Sequence, residues 1–563
     1  MPLTSVIGVH RHGSRGSQKA CFGPDAAAAQ PGTGNQVLPN LTDLTAIPRR
    51  SFCRTAALGA CALLAQRVGS AERRPNIVLI LADDLGFGDV HFLNPQRGRL
   101  ATPNIDRLAS EGMAFSDAHS GSAVCSPTRY GILTGRYAWR SSLQRGVLVP
   151  YDAPLISPGR FTLPAMLKAN GYQTACIGKW HLGWNWPRVA GKVAFDRAIT
   201  GGPTTIGFDS YFGTDVPNYP PYCFIENDRT VGNPSMPKPK SMYGDPGEML
   251  PGWRLDAILP ALTGRACEFV RRCSDEKKPF FLYLPLTSPH TPLAVAEFWR
   301  GKSGLGLYGD WVMQTDSSAG EVLRAIDQCG ARDNTLVIFT SDNGCAPYIG
   351  VDYEAENTRM GRVKELEEKG HYPSAEFRGY KSDIWEGGHR IPFVARWPGV
   401  VKPGARNEQT ICLTDILATC AEVVGARAPP DAAEDSVSFL RALRGGAHKT
   451  TREGVVHHSI GGQFAIRQGK WKLALCGGSG GWTEPTEAQA VKQGLPPVQL
   501  YDLHADPSER YNLSMRHPAE VGRLTRLMEQ YVKAGRSTPG PPLTNDVTVD
   551  LHKPVNAKPQ GSD

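Results

Sequence analysis

A cysteine at the start of a short helix-forming stretch is the first candidate for chemistry in this sequence. Cys125 opens the run C-S-P-T-R, which places Pro127 and Arg129 two and four residues later. Proline suits the first turn of a helix because its missing N–H would have no partner there, and Gly135 is a suitable stop. The sequence therefore predicts Cys125 at a helix N-terminus, where backbone N–H groups stabilise negative charge. An ordinary buried thiol is the alternative interpretation of this cysteine taken alone.

Two pairs of oxygen-bearing side chains each follow an apolar run. Asp83 and Asp84 come after NIVLILA, and Asp342 and Asn343 come after TLVIFTS. Such runs are typical of strands buried in a parallel sheet, and ligands collect where these strands end. Three carboxylates and an amide are hard oxygen donors, which favour Ca²⁺ or Mg²⁺ over zinc. The sequence therefore predicts a divalent-metal site, the alternative being that each pair caps a turn.

Helices and strands alternate around these residues, which favours an α/β fold with a large, mainly parallel sheet flanked by helices. Beyond an Ala/Pro-rich stretch at 425–434, the pattern predicts a smaller antiparallel sheet with one helix packed on it. The expected helices are 102–111, 161–170, 255–272, 308–328 and 519–534, and the expected strands are 75–84, 173–177, 280–286, 335–340, a hairpin at 462–475, and 499–503.

These patterns divide the chain into four segments. They are a disordered leader with an export signal over 1–71, a catalytic domain over 72–430, a C-terminal α+β subdomain over 431–534 and a flexible tail over 535–563. In the leader, Arg49 and Arg50 precede eleven apolar residues and a small-residue cleavage-like site, which resembles a twin-arginine export signal. Eleven residues are too few to cross a bilayer. We therefore expect an exported, periplasmic or extracellular protein without a membrane span, with a buried N-terminal helix as the alternative.

Charge and cysteine content exclude other classes. The formal net charge is +8, but residues 1–71 hold seven Lys/Arg against two Asp/Glu, so a net charge of only +3 remains beyond them. The sequence has no dense basic run, and we expect no nucleic-acid partner. The thirteen cysteines include no C-x-x-C pair, which argues against a disulfide framework, although a Cys267–Cys273 pair stays open.

Two stretches together resemble a known family. The stretches AVCSPTRYGILTG (123–135) and GYQTACIGKWHLG (171–183) are similar to the two signatures of the type I, formylglycine-dependent sulfatases. Residues from 308 on, YGDWVMQTDSSAGEVL, resemble the arylsulfatase and N-acetylgalactosamine-6-sulfatase branch. The resemblance implies an alkaline-phosphatase-like sandwich, and oxidation of Cys125 to Cα-formylglycine by a formylglycine-generating enzyme. It also implies Ca²⁺, with Mg²⁺ as the alternative.

The resemblance further implies a role for each reacting residue. The metal ligands would be Asp83, Asp84, Cys125, Asp342 and Asn343, and the catalytic residues would be Cys125, Arg129, Lys179, His181, His290 and Lys381. In that family the two lysines bind sulfate, and the arginine holds the hydrated aldehyde. Asp342 would accept a proton from the attacking hydroxyl, His181 would deprotonate the second hydroxyl, and His290 would protonate the departing alcohol.

The expected activity is hydrolysis of sulfate monoesters, on sulfated carbohydrates or aryl sulfates, by a protein that export machinery carries out of the cytoplasm. A phosphonate or phosphate ester hydrolase of the same superfamily is the alternative enzyme. A non-catalytic sulfated-glycan-binding protein is the alternative from another class, if Cys125 stays a thiol. Two stretches have open interpretations: Trp180–Trp186 is either core or a sugar platform, and the charged insertion 348–380 either lines the site or forms a surface flap.

Overall fold

A ten-stranded mixed sheet organises the computed structural model, which describes residues 74–350, 361–446 and 452–553. Five neighbouring strands at its centre run parallel, and antiparallel strands extend it on both sides. In spatial order the strands are Ala405–Asn407 (β15), Met113–Phe115 (β2), Phe393–Arg396 (β14), Thr335–Ser341 (β13), Asn76–Asp83 (β1), Phe280–Pro289 (β12), Gln173–Lys179 (β4), Ser210–Thr214 (β7), Ile225–Glu226 (β8) and Arg229–Thr230 (β9).

Helices cover both faces of this sheet, which explains why the central strands are apolar throughout. All eight residues of β1 are buried, and its alternating side chains enter two different cores. One core includes Ile77 and Leu79 with helices Cys125–Thr134 (α2), Leu163–Ala169 (α3) and Asp415–Val423 (α8). The other includes Val78 and Ile80 with helices Pro103–Ser110 (α1), Ile258–Asp275 (α4) and Gly306–Gln328 (α5).

A smaller antiparallel sheet follows in the C-terminal part of the chain. Its strands are Val455–His458 (β17), Phe464–Gln468 (β18), Trp471–Ala474 (β19) and Gln499–Asp502 (β20), paired in that order. Helix Pro518–Ala534 (α11) packs on it through Leu524, Leu527 and Met528. The expected small sheet with one helix is therefore confirmed.

Short elements complete the described part of the chain. The strands are Ala118–His119 (β3), Arg188–Val189 (β5), Lys192–Val193 (β6), Met236–Pro237 (β10), Glu248–Met249 (β11) and Ile411–Cys412 (β16). The helices are Lys364–Glu368 (α6), Glu386–His389 (α7), Leu440–Leu443 (α9) and Glu487–Lys492 (α10). No helix within residues 74–350, 361–446 and 452–553 is long and apolar enough to span a bilayer.

A buried group of histidines connects short elements of the main body with the smaller sheet. His119, His389 and His457 lie on β3, α7 and β17, and all are fully buried. The Nδ1 atoms of His119 and His389 lie 3.0 Å apart, and the rings of His389 and His457 stack at 3.9 Å. Lys472 on β19 lies 3.0 Å from His389 Nε2. We call these three histidines the histidine cluster.

Residues near the end of the described chain contact the main body, and the flexible tail expected over 535–563 stays a prediction. Asp546 accepts hydrogen bonds from Arg136, and Asn545 accepts one from Arg140 at 2.8 Å. Two buried arginines on the main body thus contact this segment. The export signal over 1–71 lies outside the described residues. Cys267 and Cys273 are both free thiols.

Candidate active site

The predicted metal ligands leave the large sheet side by side. β1 ends at Asp83 and is followed by Asp84, and the adjacent parallel strand β13 is followed by Asp342 and Asn343. The backbone N–H of Asp84 donates to Asp342 Oδ1 at 3.1 Å, and Asn343 Nδ2 donates to Asp84 Oδ1 at 2.7 Å. Asp84 has a φ of 65°, a left-handed conformation that re-aims its side chain at the strand end. The structure therefore brings all four side chains together.

The next two strands along the sheet supply three more of the predicted residues. β12 is followed directly by His290, and β4 ends at Lys179, two residues before His181. His290 Nε2 lies 3.7 Å from Asp84 Oδ2. His181 has a φ of 53°, and its Nε2 lies 3.0 Å from the carbonyl oxygen of Leu148. Four adjacent strand ends thus converge on one place.

Helix α2 presents Cys125 to the same place. Cys125 is the first residue of the helix, as predicted, and Gly135 ends the helix with a φ of 65°. The side chain of Cys125 is 3% exposed, and burial raises the pKa of its thiol. An unmodified thiol in this position is therefore protonated at neutral pH and a poor nucleophile.

Three buried cations pair with the three carboxylates. Arg129 NH2 lies 2.6 Å from Asp342 Oδ2. Lys179 Nζ lies 2.8 Å from Asp83 Oδ2, and Lys381 Nζ lies 2.7 Å from Asp84 Oδ2. Lysine and arginine are rarely buried unless paired in this way. The site therefore holds a dense, nearly balanced set of charges.

Two oxygen atoms of this site have no hydrogen-bond partner. Asp83 Oδ1 and Asn343 Oδ1 are buried and accept no hydrogen bond, although buried polar atoms are normally satisfied. Asp83, Asp84 and His290 also have potential ligand atoms within 4.8 Å of one another. Unsatisfied, clustered oxygen donors fit a hard divalent cation. The residues present therefore fit the predicted metal, and the structure favours a metal site over simple turn capping.

The two histidines are held neutral by their surroundings. Burial, and then the charge of Lys381, lower the pKa of His290 to about 4. Burial and the charge of Lys179 lower the pKa of His181 well below its usual value. His181 Nδ1 is buried without a hydrogen-bond partner. The ring can therefore donate from Nε2 to the Leu148 carbonyl and keep a lone pair on Nδ1.

A cavity of about 870 Å³ opens above this centre. Cys125, His181, His290 and Lys381 contribute to its lining, whereas Arg129 and Lys179 do not. A group of aromatic side chains also lines it, which sequence reasoning missed: Tyr219, Tyr243, Tyr348 and Trp482. Tyr348 comes from the start of the charged insertion, so part of that insertion lines the site. The Trp180–Trp186 segment is not a sugar platform, because Trp180, Trp184 and Trp186 are buried in the core.

Comparison with known proteins identifies the family. The family model described as Sulfatase matches residues 75–426, which include every candidate site residue. The chain belongs to the sulfatase family. This sulfatase is a sulfuric ester hydrolase, as expected, and the predicted α/β fold of the alkaline-phosphatase type is confirmed.

The relatives of this sulfatase span most of its length. The N-acetylgalactosamine-6-O-sulfatase of Bacteroides thetaiotaomicron is 34% identical over 506 residues, which are 82% of this chain and 94% of that protein. Human arylsulfatase A is 32% identical over 476 residues, which are 80% of this chain and 86% of that protein. A solved structure from work on glycosaminoglycan metabolism by Bacteroides thetaiotaomicron superposes with a TM-score of 0.70 at 32% identity, covering 82% and 99% of the two chains.

Proposed function

We propose that this sulfatase removes sulfate from sulfated carbohydrates, with N-acetylgalactosamine 6-sulfate units as the first candidate substrate, through a formylglycine made from Cys125. The observation that carries the proposal is the position of Cys125 at a helix N-terminus, in a cavity that it shares with His181, His290 and Lys381. The relatives named for galactosamine and aryl sulfates support the substrate class. We further propose export of the chain, on the basis of its twin-arginine-like leader.

Residue 125 and the oxygen ligands form the reacting centre in this proposal. Oxidised to formylglycine, residue 125 supplies a hydrate with one hydroxyl for attack on sulfur and a second for the expulsion of sulfate. Ca²⁺, or Mg²⁺ as the alternative, would be held by Asp83, Asp84, Asp342, Asn343 and residue 125, and when bound lowers the pKa of a coordinated hydroxyl and offsets sulfate charge. Asp342 is then the acceptor for the proton of the attacking hydroxyl.

Arg129 and the two lysines supply positive charge around the reacting sulfur. Arg129 holds Asp342 through two N–H groups and donates to the Lys179 carbonyl at 3.1 Å, which fixes the strand end that carries Lys179. Lys179 and Lys381 are the proposed sulfate-binding groups. Fixed charges in a buried site stabilise charge that develops in the transition state without reorganisation.

The two histidines have opposite tasks in the proposal. His181 is neutral with a free lone pair on Nδ1, which suits a base that takes the proton of the second hydroxyl. His290 must carry a proton in order to protonate the departing alcohol. Its pKa is lowered to about 4, partly by Lys381. The negative charge of a bound sulfate ester opposes that effect and favours protonated His290.

One experiment tests the chemistry and the substrate class together. The full chain is produced with a formylglycine-generating enzyme, and the peptide that contains residue 125 is analysed by mass spectrometry. Sulfate and phosphate release are then measured from paired aryl esters and from sulfated sugars. We expect an aldehyde at position 125, preference for sulfate over phosphate, and desulfation of sugars. Cys125→Ala should fold normally, since the residue serves chemistry, and lose nearly all turnover.

The other outcomes each contradict a part of the proposal. A thiol at position 125 together with sulfated-glycan binding would indicate a non-catalytic binding protein. Faster cleavage of phosphate or phosphonate esters would indicate the alternative hydrolase. Turnover of aryl or steroid sulfates without any sulfated sugar would remove the carbohydrate substrate.

A further inference from the structure

A second cavity adjoins the candidate active site, and sulfate hydrolysis alone does not require it. Its volume is about 330 Å³, and Asn218, Tyr243 and Asp245 line both this cavity and the larger one. The remaining lining comes from residues 238–244. We call it the side cavity. A substrate bound at the reacting centre can therefore extend into it.

Two lysines give the side cavity its charge. Lys238 is half-buried and Lys240 is exposed. Lys238 Nζ donates to the carbonyls of Pro239, at 3.2 Å, and Met242. Neither lysine has a carboxylate oxygen within 4.0 Å among residues 74–350, 361–446 and 452–553. The lysines of the reacting centre, by contrast, are both paired with aspartates. The two side-cavity lysines also outnumber the one carboxylate in its lining, that of Asp245. Burial raises the pKa of the Asp245 carboxyl, and the charge of Lys238 opposes this.

The loop that carries these lysines is held in a defined shape. β10 and β11 pair at its base, and the backbone N–H of Asp245 donates to the Asn218 carbonyl at 2.9 Å. The Tyr222 hydroxyl lies 2.8 Å from the carbonyl oxygen of Asn218 and 2.6 Å from that of Asp245. Gly244 has a φ of 117°, and a Cβ there would lie 2.5 Å from the Tyr222 hydroxyl. These contacts therefore fix the loop beside the larger cavity, since Asn218 and Asp245 line both cavities.

We propose that the side cavity binds an acidic group, a carboxylate or a second sulfate, on the sugar next to the one that loses its sulfate. This inference rests on the proposed function. Lys238 and Lys240 attract the acidic group, Tyr243 offers a ring face to the sugar, and Asp245 and Asn218 hydrogen-bond its hydroxyls. The substrate class is accordingly an acidic oligosaccharide or polysaccharide.

The test compares four sulfated substrates with the modified full-length enzyme. They are 6-O-sulfated N-acetylgalactosamine alone, and the same sugar linked to galactose, to glucuronic acid or to a sulfated galactose. We expect a higher kcat/KM for the acidic disaccharides than for the neutral one. The double variant Lys238→Gln/Lys240→Gln should lower kcat/KM for the acidic disaccharides by about 3- to 30-fold, as two solvent-accessible ion pairs would. A larger loss for the glucuronic acid disaccharide would indicate that the side cavity binds a carboxylate. A larger loss for the sulfated galactose disaccharide would indicate that it binds a sulfate.

Matched controls separate this inference from the proposed function. The control variant Lys402→Gln/Lys492→Gln changes two exposed lysines that line neither cavity. It should leave kcat/KM unchanged for all four substrates. Equal kcat/KM values for neutral and acidic disaccharides, or an equal loss for every substrate in the Lys238/Lys240 variant, would overturn the inference. If the monosaccharide still reacts, the proposed function stands. If aryl sulfates react and no sugar does, the proposed function fails as well.

Discussion

The guanidinium of Arg129 contacts one oxygen of Asp342 through two nitrogen atoms, with NH2 at 2.6 Å and Nε at 3.1 Å from Oδ2. Both side chains are fully buried. Arg129 NH2 also lies 3.4 Å from Asp83 Oδ1. A single cation therefore joins the helix that begins at Cys125 to two neighbouring strand ends, so its loss should affect stability as well as the proposed chemistry.

Arg129→Ala should lower the free energy of unfolding by about 3–5 kcal/mol, because it leaves buried carboxylates without their counter-charge. Chemical denaturation followed by circular dichroism measures this change. Arg332→Ala is the control, since that arginine is 40% exposed and pairs with Glu111 at the surface. Arg332→Ala should lower the free energy of unfolding by less than about 1 kcal/mol. Equal losses in the two variants would contradict a structural role for the Arg129–Asp342 contact.

Calcium should raise the thermal stability of the protein with Cys125 unmodified, because the proposed ligand residues come together only in the folded state. At a calcium concentration one hundred times the Kd, the free energy of unfolding rises by about 2.7 kcal/mol. Asn343→Ala should reduce this gain, since it removes an unpartnered buried oxygen. Asn407→Ala removes a buried asparagine on β15 and should keep the full gain. An identical calcium response in both variants would argue against Asn343 as a ligand.

Acid should destabilise the fold through the histidine cluster. Burial lowers the pKa of His119, and lowers those of His389 and His457 well below the usual value, so the folded protein keeps these rings neutral while the unfolded chain takes up protons. Stability is thus unaffected above about pH 6.5 and falls below it, by about 1.4 kcal/mol per pH unit for each histidine.

Replacement of one cluster histidine gives the test of this pH dependence. His457→Phe preserves a ring that can stack on His389 and removes one titrating group. The slope of the free energy of unfolding against pH is measured by urea denaturation between pH 5 and pH 6.5. It should decrease by about 1.4 kcal/mol per pH unit, which corresponds to one proton. His517→Phe, at an exposed histidine outside the cluster, is the control for the substitution itself. An unchanged slope in His457→Phe would show that this ring is protonated in the folded state.

Gly344→Ala should impair catalysis although the residue touches no substrate group. A Cβ at this position would lie 1.9 Å from the Gly387 carbonyl oxygen, and the next residue accepts the backbone hydrogen bond of Lys381. A displacement of about 1 Å at Lys381 can cost on the order of 100-fold in rate. Gly264→Ala, in open space on helix α4, is the control and should keep full activity. Steady-state kinetics of both variants gives the comparison.

The sequence predicts the grouping of the candidate site residues well because regular elements position them. Asp83, Asp342 and Lys179 sit at the ends of apolar strands, so pattern and resemblance place them at one sheet edge. The predicted helices and strands also match the observed ones closely. Helix 308–328, for example, begins two residues earlier in the structure, at Gly306.

The substrate-facing wall could not be predicted in the same way. Tyr243 and Trp482 lie in irregular loops without periodicity, and only tertiary contacts bring them to one cavity. The Trp482 backbone N–H, for example, donates to Ser382 Oγ at 3.0 Å, beside Lys381. His119, His389 and His457 are likewise far apart in sequence and carry no local spacing signal. Contacts between residues far apart in sequence determine the cavity lining and the histidine cluster, and the local pattern of a single sequence does not show such contacts.

Residues 535–553 also bear on how this protein can be shortened for laboratory use. Arg136 lies two residues beyond the last residue of helix α2, and it is buried between Glu434 and Asp546. Truncation after Ala534 would remove one of these two carboxylates and the Asn545 acceptor of Arg140. Excess positive charge would then be buried at the end of the helix that starts at Cys125. A minimal catalytic fragment should therefore retain residues up to at least Asp546.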